Sequence, residues 1–511
     1  MAALAVLAFA GIMVAGRRID IFFDEWSFVL DRRAWTASAF LHPHNEHISV
    51  LPVLVYKLWF ATFGLAHHWM LRAVLAALYV GCGVAVYLLA RRRIGPWAAV
   101  AAGALVLVMG RAAQNIVWAF QIGFVGSVLA GLLAFLALDR PGRRGEVLAC
   151  AALVASVLSS SLGVPFAIGV AAELAVARRR ALWVPAVPLG VYAAWWLGYG
   201  RGTSTITATS LEQATTWAYD AAATAAAGAA GLSLEWGRTL LVLMVVAIVW
   251  QVARATPRVT PRLLGLVVVA VTFWGLTGAA RSVGIAATES RYITLGAVML
   301  ILVAVELLRG ARPTRTALAV GAVFVLVAGL ASVPWARDYA RGVRGATGEM
   351  DAELGALTLV RSRAPAAYRP DPALAPQITA GGFLAAVDDL GSNPSDTAAQ
   401  LPGDFNEERQ RADRVLQDLA LAASPATGAA PRSCRPLGAR AVEATVPASG
   451  LVLDGRGRAA VRVRRFADDF VNPPTPVPVS GPTRLRFAAD GSPVPYRVQL
   501  SAAGGVVRLC R

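Results

Sequence analysis

The sequence predicts a mainly α, polytopic helical membrane protein carrying a C-terminal α+β domain that ends in a small antiparallel β unit. Three observations lead there. Apolar runs close to bilayer length recur through the first two-thirds of the chain. Crossing a bilayer takes about 20 apolar residues, folded as a helix because lipid offers backbone groups no partner. Of the 511 residues, 57% are hydrophobic and only 15% charged, with mean hydropathy +0.57, where soluble domains carry about 25% charge. After Val333 the apolar runs stop, and Pro, Asp, Gly and Ser become common.

On these rules the chain holds about eleven spans. The first is Met1 to Ala15, read as a retained helix because no basic stretch precedes it and no small-residue cleavage site follows. Trp69 to Ala90 ends at Arg91-Arg92-Arg93, Pro96 to Met109 returns, and Ile116 to Leu138 ends at Asp139-Arg140. Val147 to Leu158 and Gly163 to Ala177 form the next pair, closed by Arg178-Arg179-Arg180. Leu182 to Tyr199 leads into a longer polar loop, and Thr239 to Val252 returns. Leu263 to Ala279, Ile293 to Leu308 and Ala317 to Val333 complete the set.

The net charge of +17 does not mark a nucleic-acid binder. Its arginines stand in short runs at span ends, the pattern that sets membrane orientation. With the Arg91 loop in the cytoplasm, the other Arg-rich connections fall inside too. The loop after the first span and the C-terminal region fall outside. The expected placement is a bacterial plasma membrane, with a cytoplasmic N-terminus and an extracytoplasmic C-terminal domain. No Walker loop, nucleotide fingerprint or Cys/His zinc cluster is present.

The expected domains are 1–335, the membrane body with an outer loop at 17–68; 336–432, a linker and helical region; and 433–511, a β-rich domain. Within the loop, Ile48 to Ala66 is apolar but broken by Pro52 and Lys57. It reads as a helix on the membrane surface whose lysine snorkels to headgroups. Asp24 to Phe40 reads as a second interfacial helix. Glu173 and Glu306 should pair with the Arg runs beside them. Farther on, Asn406 to Ala422 has helical spacing, and alternating runs from Ala439 read as strands. Cys82 and Cys150 fall in spans, whereas Cys434 and Cys510 bracket the β unit, so an oxidising compartment favours a Cys434–Cys510 disulfide.

Titratable groups concentrate in one stretch, Asp24 to His47, which holds Asp24, Glu25, Glu46, His42, His44 and His47. A carboxylate at the membrane interface can have its pKa raised into the range of a general base. Later span ends carry Gln114, Asn115, Arg281, Glu289 and Arg291. Arginines at outer ends call for an anionic partner, and a phosphate suits the planar donor fork of Arg.

Four local features, IDIFFDEW, HPHNEHISVLPVLVYKLWFATFG, LRAVLAALYVGCGVAVYLLARRR and ESRYITLGAVML, resemble in order and spacing the GT-C superfamily of membrane glycosyltransferases, and most of all its aminoarabinose and mannosyl transferase branch. Where that family often has His-Pro-Pro, this chain has His42-Pro43-His44. The resemblance implies transfer of a sugar from a polyprenyl-phosphate donor to a glycan or lipid acceptor of the cell envelope, in contact with the bilayer. It implies Asp24 as general base with Glu25 as the alternative, and Glu46 and His47 on the acceptor side. Arg291, Arg281 and Tyr292 would hold the donor phosphate. No cofactor is required by this reading. His42, His44 and His47 could instead be ligands of a divalent metal ion, against the simpler reading of interfacial hydrogen bonding. Trp26 and Trp118 could pack on sugar or isoprenoid, or belong to an aromatic belt. From other classes come a transporter or flippase of lipid-linked saccharides without chemistry of its own, and an envelope-assembly scaffold.

Overall fold

The computed structural model describes all residues except 255–259, 428–432, 491 and 511, and for 251 and 252 it describes the backbone alone. The chain divides into two compact units. The first comprises 1–18, 31–59 and 68–342; the second comprises 19–30, 60–67 and 343–511. The second unit thus takes in two pieces of the N-terminal loop, and joins what the sequence divided into 336–432 and 433–511.

The first unit is helical, and the eleven expected apolar segments are mostly helix, although Ile116 to Leu138 is broken at Trp118 and Pro96 to Met109 ends as helix at Leu107. Among the described residues, five helices are long and apolar enough to cross a membrane: Trp69–Ile94, Ala119–Leu138, Pro261–Arg281, Ser290–Leu307 and Arg315–Leu359. The pair Ala208–Ala230 and Leu234–Trp250, bent by 100° at its break, adds a sixth if counted as one span. Ala2–Ala15, Val50–Phe63, Pro96–Ala112 and Gly163–Val176 are apolar but shorter.

Three local expectations are corrected. The polar loop expected after Tyr199 contains the helix Ala208–Ala230. Alanine is the best helix former, so an Ala-rich run needs only an end signal. Here Thr207 and Ser210 form a capping box, and Gly231 ends the helix at φ 69. Its alanines 221–223 and 225–227 are buried, where small side chains let helices approach.

The long interfacial helix expected over Asp24 to Phe40 is instead two short helices, Glu25–Asp31 and Ala37–Leu41. Lys57 does not snorkel. It is 1% exposed, and its Nζ donates to the carbonyls of Arg32 (2.6 Å), Arg33 (3.3 Å) and Ala34 (2.5 Å). The rings of Trp35 and Phe40 lie 4.9 and 5.0 Å from it. The carbonyls just past a helix end lack intrahelical partners, and the ammonium satisfies them.

Five helices of the first unit are tied by ion pairs. Arg93 reaches Glu306 and Asp139, both at 2.7 Å. Arg262 reaches Glu173 at 2.6 Å and Asp139 at 3.1 Å. Glu306 also meets Arg309 of the neighbouring Arg run, at 3.8 Å, but the shorter contacts of Glu173 and Glu306 come from other helices. Charges buried in an apolar body persist when paired in this way.

In the second unit, helices Ala380–Leu390 and Asn406–Leu419 accompany a seven-stranded antiparallel sheet. Its strands are β1 (Leu421–Pro425), β2 (Cys434–Pro436), β3 (Val442–Thr445), β4 (Leu451–Arg464), β5 (Thr475–Ser480), β6 (Thr483–Phe487) and β7 (Arg497–Cys510). The order is β1-β6-β4-β7-β2, with β3 paired to β7 and β5 to β4. The 406–419 helix is stitched to the sheet. Buried Asp413 accepts from the backbone N–H groups of Arg465, Phe466 and Ala467, and Gln417 donates to the Val461 carbonyl. These bonds bridge the boundary expected at 432–433, so helix and sheet share one core. The Cys434–Cys510 disulfide is present, joining directly paired residues of β2 and β7.

Candidate active site

The His-Pro-His-Asn-Glu-His stretch folds into a tight reverse turn. His44 N–H donates to the His47 carbonyl at 3.0 Å, and His47 N–H returns the bond at 2.9 Å. Asn45 and Glu46 between them have φ 46 and 72. Asn tolerates this left-handed region, but Glu adopts it at a cost that the surroundings must offset. Arg281, the last residue of Pro261–Arg281, supplies that contact. Its guanidinium donates to the Asn45 carbonyl at 3.1 Å and lies 3.4 Å from the Glu46 carboxylate.

Arg291 comes from the turn Ser290–Tyr292, directly before helix Ile293–Leu307. Its guanidinium lies 3.8 Å from Glu289, and its buried Nε has no hydrogen-bond partner. Its backbone is fixed more firmly than its side chain. Gln114 Oε1 accepts from Arg291 N–H at 2.9 Å, and Gln114 Nε2 donates to Glu289 at 2.9 Å. Gln114 N–H donates to Ser290 Oγ at 3.1 Å, and that hydroxyl donates to the Arg111 carbonyl at 2.7 Å. Tyr292 is buried with its ring edge-on to Trp217, centroids 5.3 Å apart.

His47 lies within the field of both arginines. Burial first, then Arg281, His44 and Arg291, push its pKa down to about 3. The imidazole is therefore neutral at ordinary pH, and its Nδ1 has no hydrogen-bond partner. His44 is pushed down to about 4, by burial and then by Arg32. The structure thus gathers Glu46, His47, Arg281, Arg291 and Tyr292 in the first unit. A helix start next to two guanidiniums favours an anion, since the helix dipole and the side chains have the same sign there.

Asp24 and Glu25 belong to the second unit. Glu25 is fully buried, opens helix Glu25–Asp31, and accepts from the Phe22 N–H at 2.9 Å. That is a capping role. Asp24 is half-buried, and the residue before it, Phe23, has φ 46. A bulky residue held left-handed marks a conformation fixed by its surroundings. The Phe23 carbonyl accepts from Gln377 at 2.9 Å.

The three histidines do not form the ligand set considered for a divalent ion. His44 packs on Phe120 at 5.0 Å, His47 on Phe124 at 5.2 Å, and His42 is exposed. Among the described residues no group of three His, Cys, Asp or Glu side chains is arranged to hold a metal ion. The reverse turn pairs their backbones while each buried ring packs on its own phenylalanine. Trp26 packs edge-on to Phe383 and Trp118 stacks on Phe120; both indoles are buried. Trp217 escaped the sequence reading because it lies in the stretch taken as a loop. The Thr-x-x-Ser signal at its start and the Ala-rich run were the available clues.

No family model matches the chain, and no curated protein matches it. Among solved structures it is similar to the crystal structure of ArnT from Cupriavidus metallidurans bound to undecaprenyl phosphate, with TM-score 0.40 and 17% identity, covering 70% of this chain and 71% of that one.

Proposed function

We propose that this protein is a membrane glycosyltransferase that moves a sugar from a polyprenyl-phosphate donor to a hydroxyl of a cell-envelope acceptor. The observation that carries the reading is the pair Arg281 and Arg291, gathered around the 44–47 turn at the start of an apolar helix. Neither is saturated by a carboxylate, since the nearest approaches are 3.4 and 3.8 Å. A guanidinium in an apolar body needs an anion, and a phosphate on a lipid tail supplies one that arrives through the bilayer.

In the reaction the acceptor oxygen forms a bond to the anomeric carbon as the bond from that carbon to the phosphate oxygen breaks. We propose Asp24 as the base that takes the acceptor proton, on the strength of the family resemblance. The lipid phosphate leaves with the electron pair, and Arg291 and Arg281 stabilise its added charge. A positioned base contributes on the order of 10²- to 10⁴-fold, and preorganised cations contribute a comparable factor. Glu25 is the weaker choice for base because it is buried as a helix cap. Neutral His47 and Glu46 line the acceptor side.

The test is transfer from polyprenyl-phosphate sugars by the protein in lipid nanodiscs. Asp24→Asn should lower the rate at least about 100-fold. Arg291→Ala should weaken donor use, with the thermal midpoint unchanged in both. Full activity in both variants would remove these roles, and absence of transfer by the parent protein from a panel of such donors would remove the activity.

A further inference from the structure

We infer that the outer face of the C-terminal sheet is a binding track for an anionic polysaccharide, independent of the transferase reading. Between 433 and 510 the chain has eleven arginines and five carboxylates. The sheet sorts them. Directly paired residues in an antiparallel sheet share a face. The register therefore gives one face to Leu453, Val461, Val463, Leu485, Val498 and Leu500, all buried. The opposite face collects the arginines. Arg456, Arg458, Arg462 and Arg464 alternate along β4, while Arg484 and Arg486 come from β6 and Arg497 and Arg508 from β7. Only two carboxylates share that face in the register, Glu443 and Asp454.

Those two acids are taken. Asp454 pairs with Arg508 at 2.8 Å, and Glu443 pairs with Arg464 at 3.2 Å and Arg497 at 3.9 Å. Among the described residues, Arg456, Arg458, Arg462, Arg484 and Arg486 have no acidic partner. Arg456, Arg458 and Arg486 are exposed. A groove of about 360 Å³ is lined by Arg456, Arg508, Asp454, Gly455, Gly481 and Val506.

The layout selects the ligand. The arginines of β4 run from Arg456 to Arg464, roughly 26 Å at about 3.3 Å per residue, and Arg484 of β6 lies opposite Val452 beyond them. A single small anion cannot use such a row; an extended polyanion can. Guanidinium forks match carboxylates and phosphodiesters equally well. The Cys434–Cys510 disulfide closes this same sheet. Disulfides persist in oxidising compartments, where the abundant extended polyanions are acidic glycans rather than nucleic acids. A membrane surface fits less well, since interfacial binding draws on large buried apolar area and this face offers little beyond exposed Val506, Pro476 and Pro478 among its arginines.

The experiment uses full-length protein in phosphatidylcholine nanodiscs. Polygalacturonate presents carboxylates, poly(glycerol phosphate) presents phosphodiesters, and pullulan is neutral. Binding to at least one charged polymer, lost with rising salt, and none to pullulan is expected. The triple variant Arg456→Gln, Arg458→Gln, Arg486→Gln should bind at least about tenfold more weakly, with the logarithmic salt slope reduced by about three. Arg361→Gln, on an exposed ion pair elsewhere in the unit, should leave binding unchanged. Equal binding by the triple variant, equal binding of pullulan, or binding only to phosphatidylglycerol vesicles would overturn the inference. Retention of the thermal midpoint and of the disulfide in the variant separates loss of the track from loss of the fold.

Discussion

Asp24 and Glu25 are neighbours in sequence with different physical situations, and substitutions should separate them. Glu25 is fully buried and holds the Phe22 N–H. Glu25→Ala should therefore cost about 1 to 2 kcal/mol, because it removes the acceptor of a part-buried N–H, and should appear as a lower thermal midpoint. Asp24→Asn should leave the midpoint in place and remove turnover. The opposite assignment of effects would make Glu25 the chemical group. Lys57 offers a second contrast. A surface-snorkelling lysine would tolerate methionine. This one satisfies three carbonyls while nearly inaccessible. Lys57→Met should destabilise by about 2 kcal/mol, in the range for hydrogen bonds to a charged group. A midpoint equal to the parent's would show that the three carbonyls find other donors.

At the scale of elements, the short helices between Gly110 and Gln121 interrupt what reads as an apolar run. The interruption puts Gln114 at the start of the short helix Gln114–Val117 rather than on the face of a long one. Its side chain then grips Glu289 and the Arg291 backbone together. Gln114 is a positioning residue for Arg291. Gln114→Ala should raise the KM for the lipid donor about tenfold while changing kcat less, because it loosens the arginine without removing it. A pure kcat loss would place Gln114 elsewhere in the reaction. The ion pairs around Asp139 act at the same scale, fastening helices whose apolar surfaces alone would leave their rotation undetermined in lipid.

At the scale of the whole molecule, the two units respond oppositely to pH. In the first, His44 and His47 are held down to about 4 and about 3. Folded histidines that resist protonation contribute stability above the ordinary histidine pKa, and this is lost as pH falls from about 6.5 toward 4 and 3. In the second, burial and neighbouring carboxylates push Asp396 up to about 7. Burial, with Glu408 next, pushes Asp404 up to about 6. Burial pushes Glu353 up to about 8 despite Arg414. Raised acids contribute stability at low pH, and it is lost as pH rises from about 4 through 6, 7 and 8. Amide exchange corrected for intrinsic rate should show protection of the 42–47 turn growing from pH 4 to 7. Protection of the 406–419 helix should shrink from pH 5 to 8. Parallel trends would contradict these environments.

Much of the architecture is legible in the residues themselves. Apolar length sets helices, since a backbone in lipid has no other way to satisfy its polar groups, and the expected segments are mostly helical, with Ile116 to Leu138 broken at Trp118. Strand alternation and the Cys434–Cys510 pair follow from local pattern and from the few cysteines available. The Ala-rich 208–230 helix was hidden because alanine and threonine read as neither apolar span nor clear amphipathic face. What the sequence by itself determined is which segments are apolar helices, where strands β4, β6 and β7 lie, and which residue types are scarce enough to carry chemistry. Tertiary structure alone decided which groups meet: Lys57 with backbone carbonyls, Glu173 with Arg262, Glu46 with Arg281, and the rings of His44 and His47 each with a phenylalanine while His42 stays exposed. Local pattern follows from each residue's own preference for water or lipid, whereas ion pairing depends on contacts between residues as far apart in the chain as Glu46 and Arg281, and no periodicity records those.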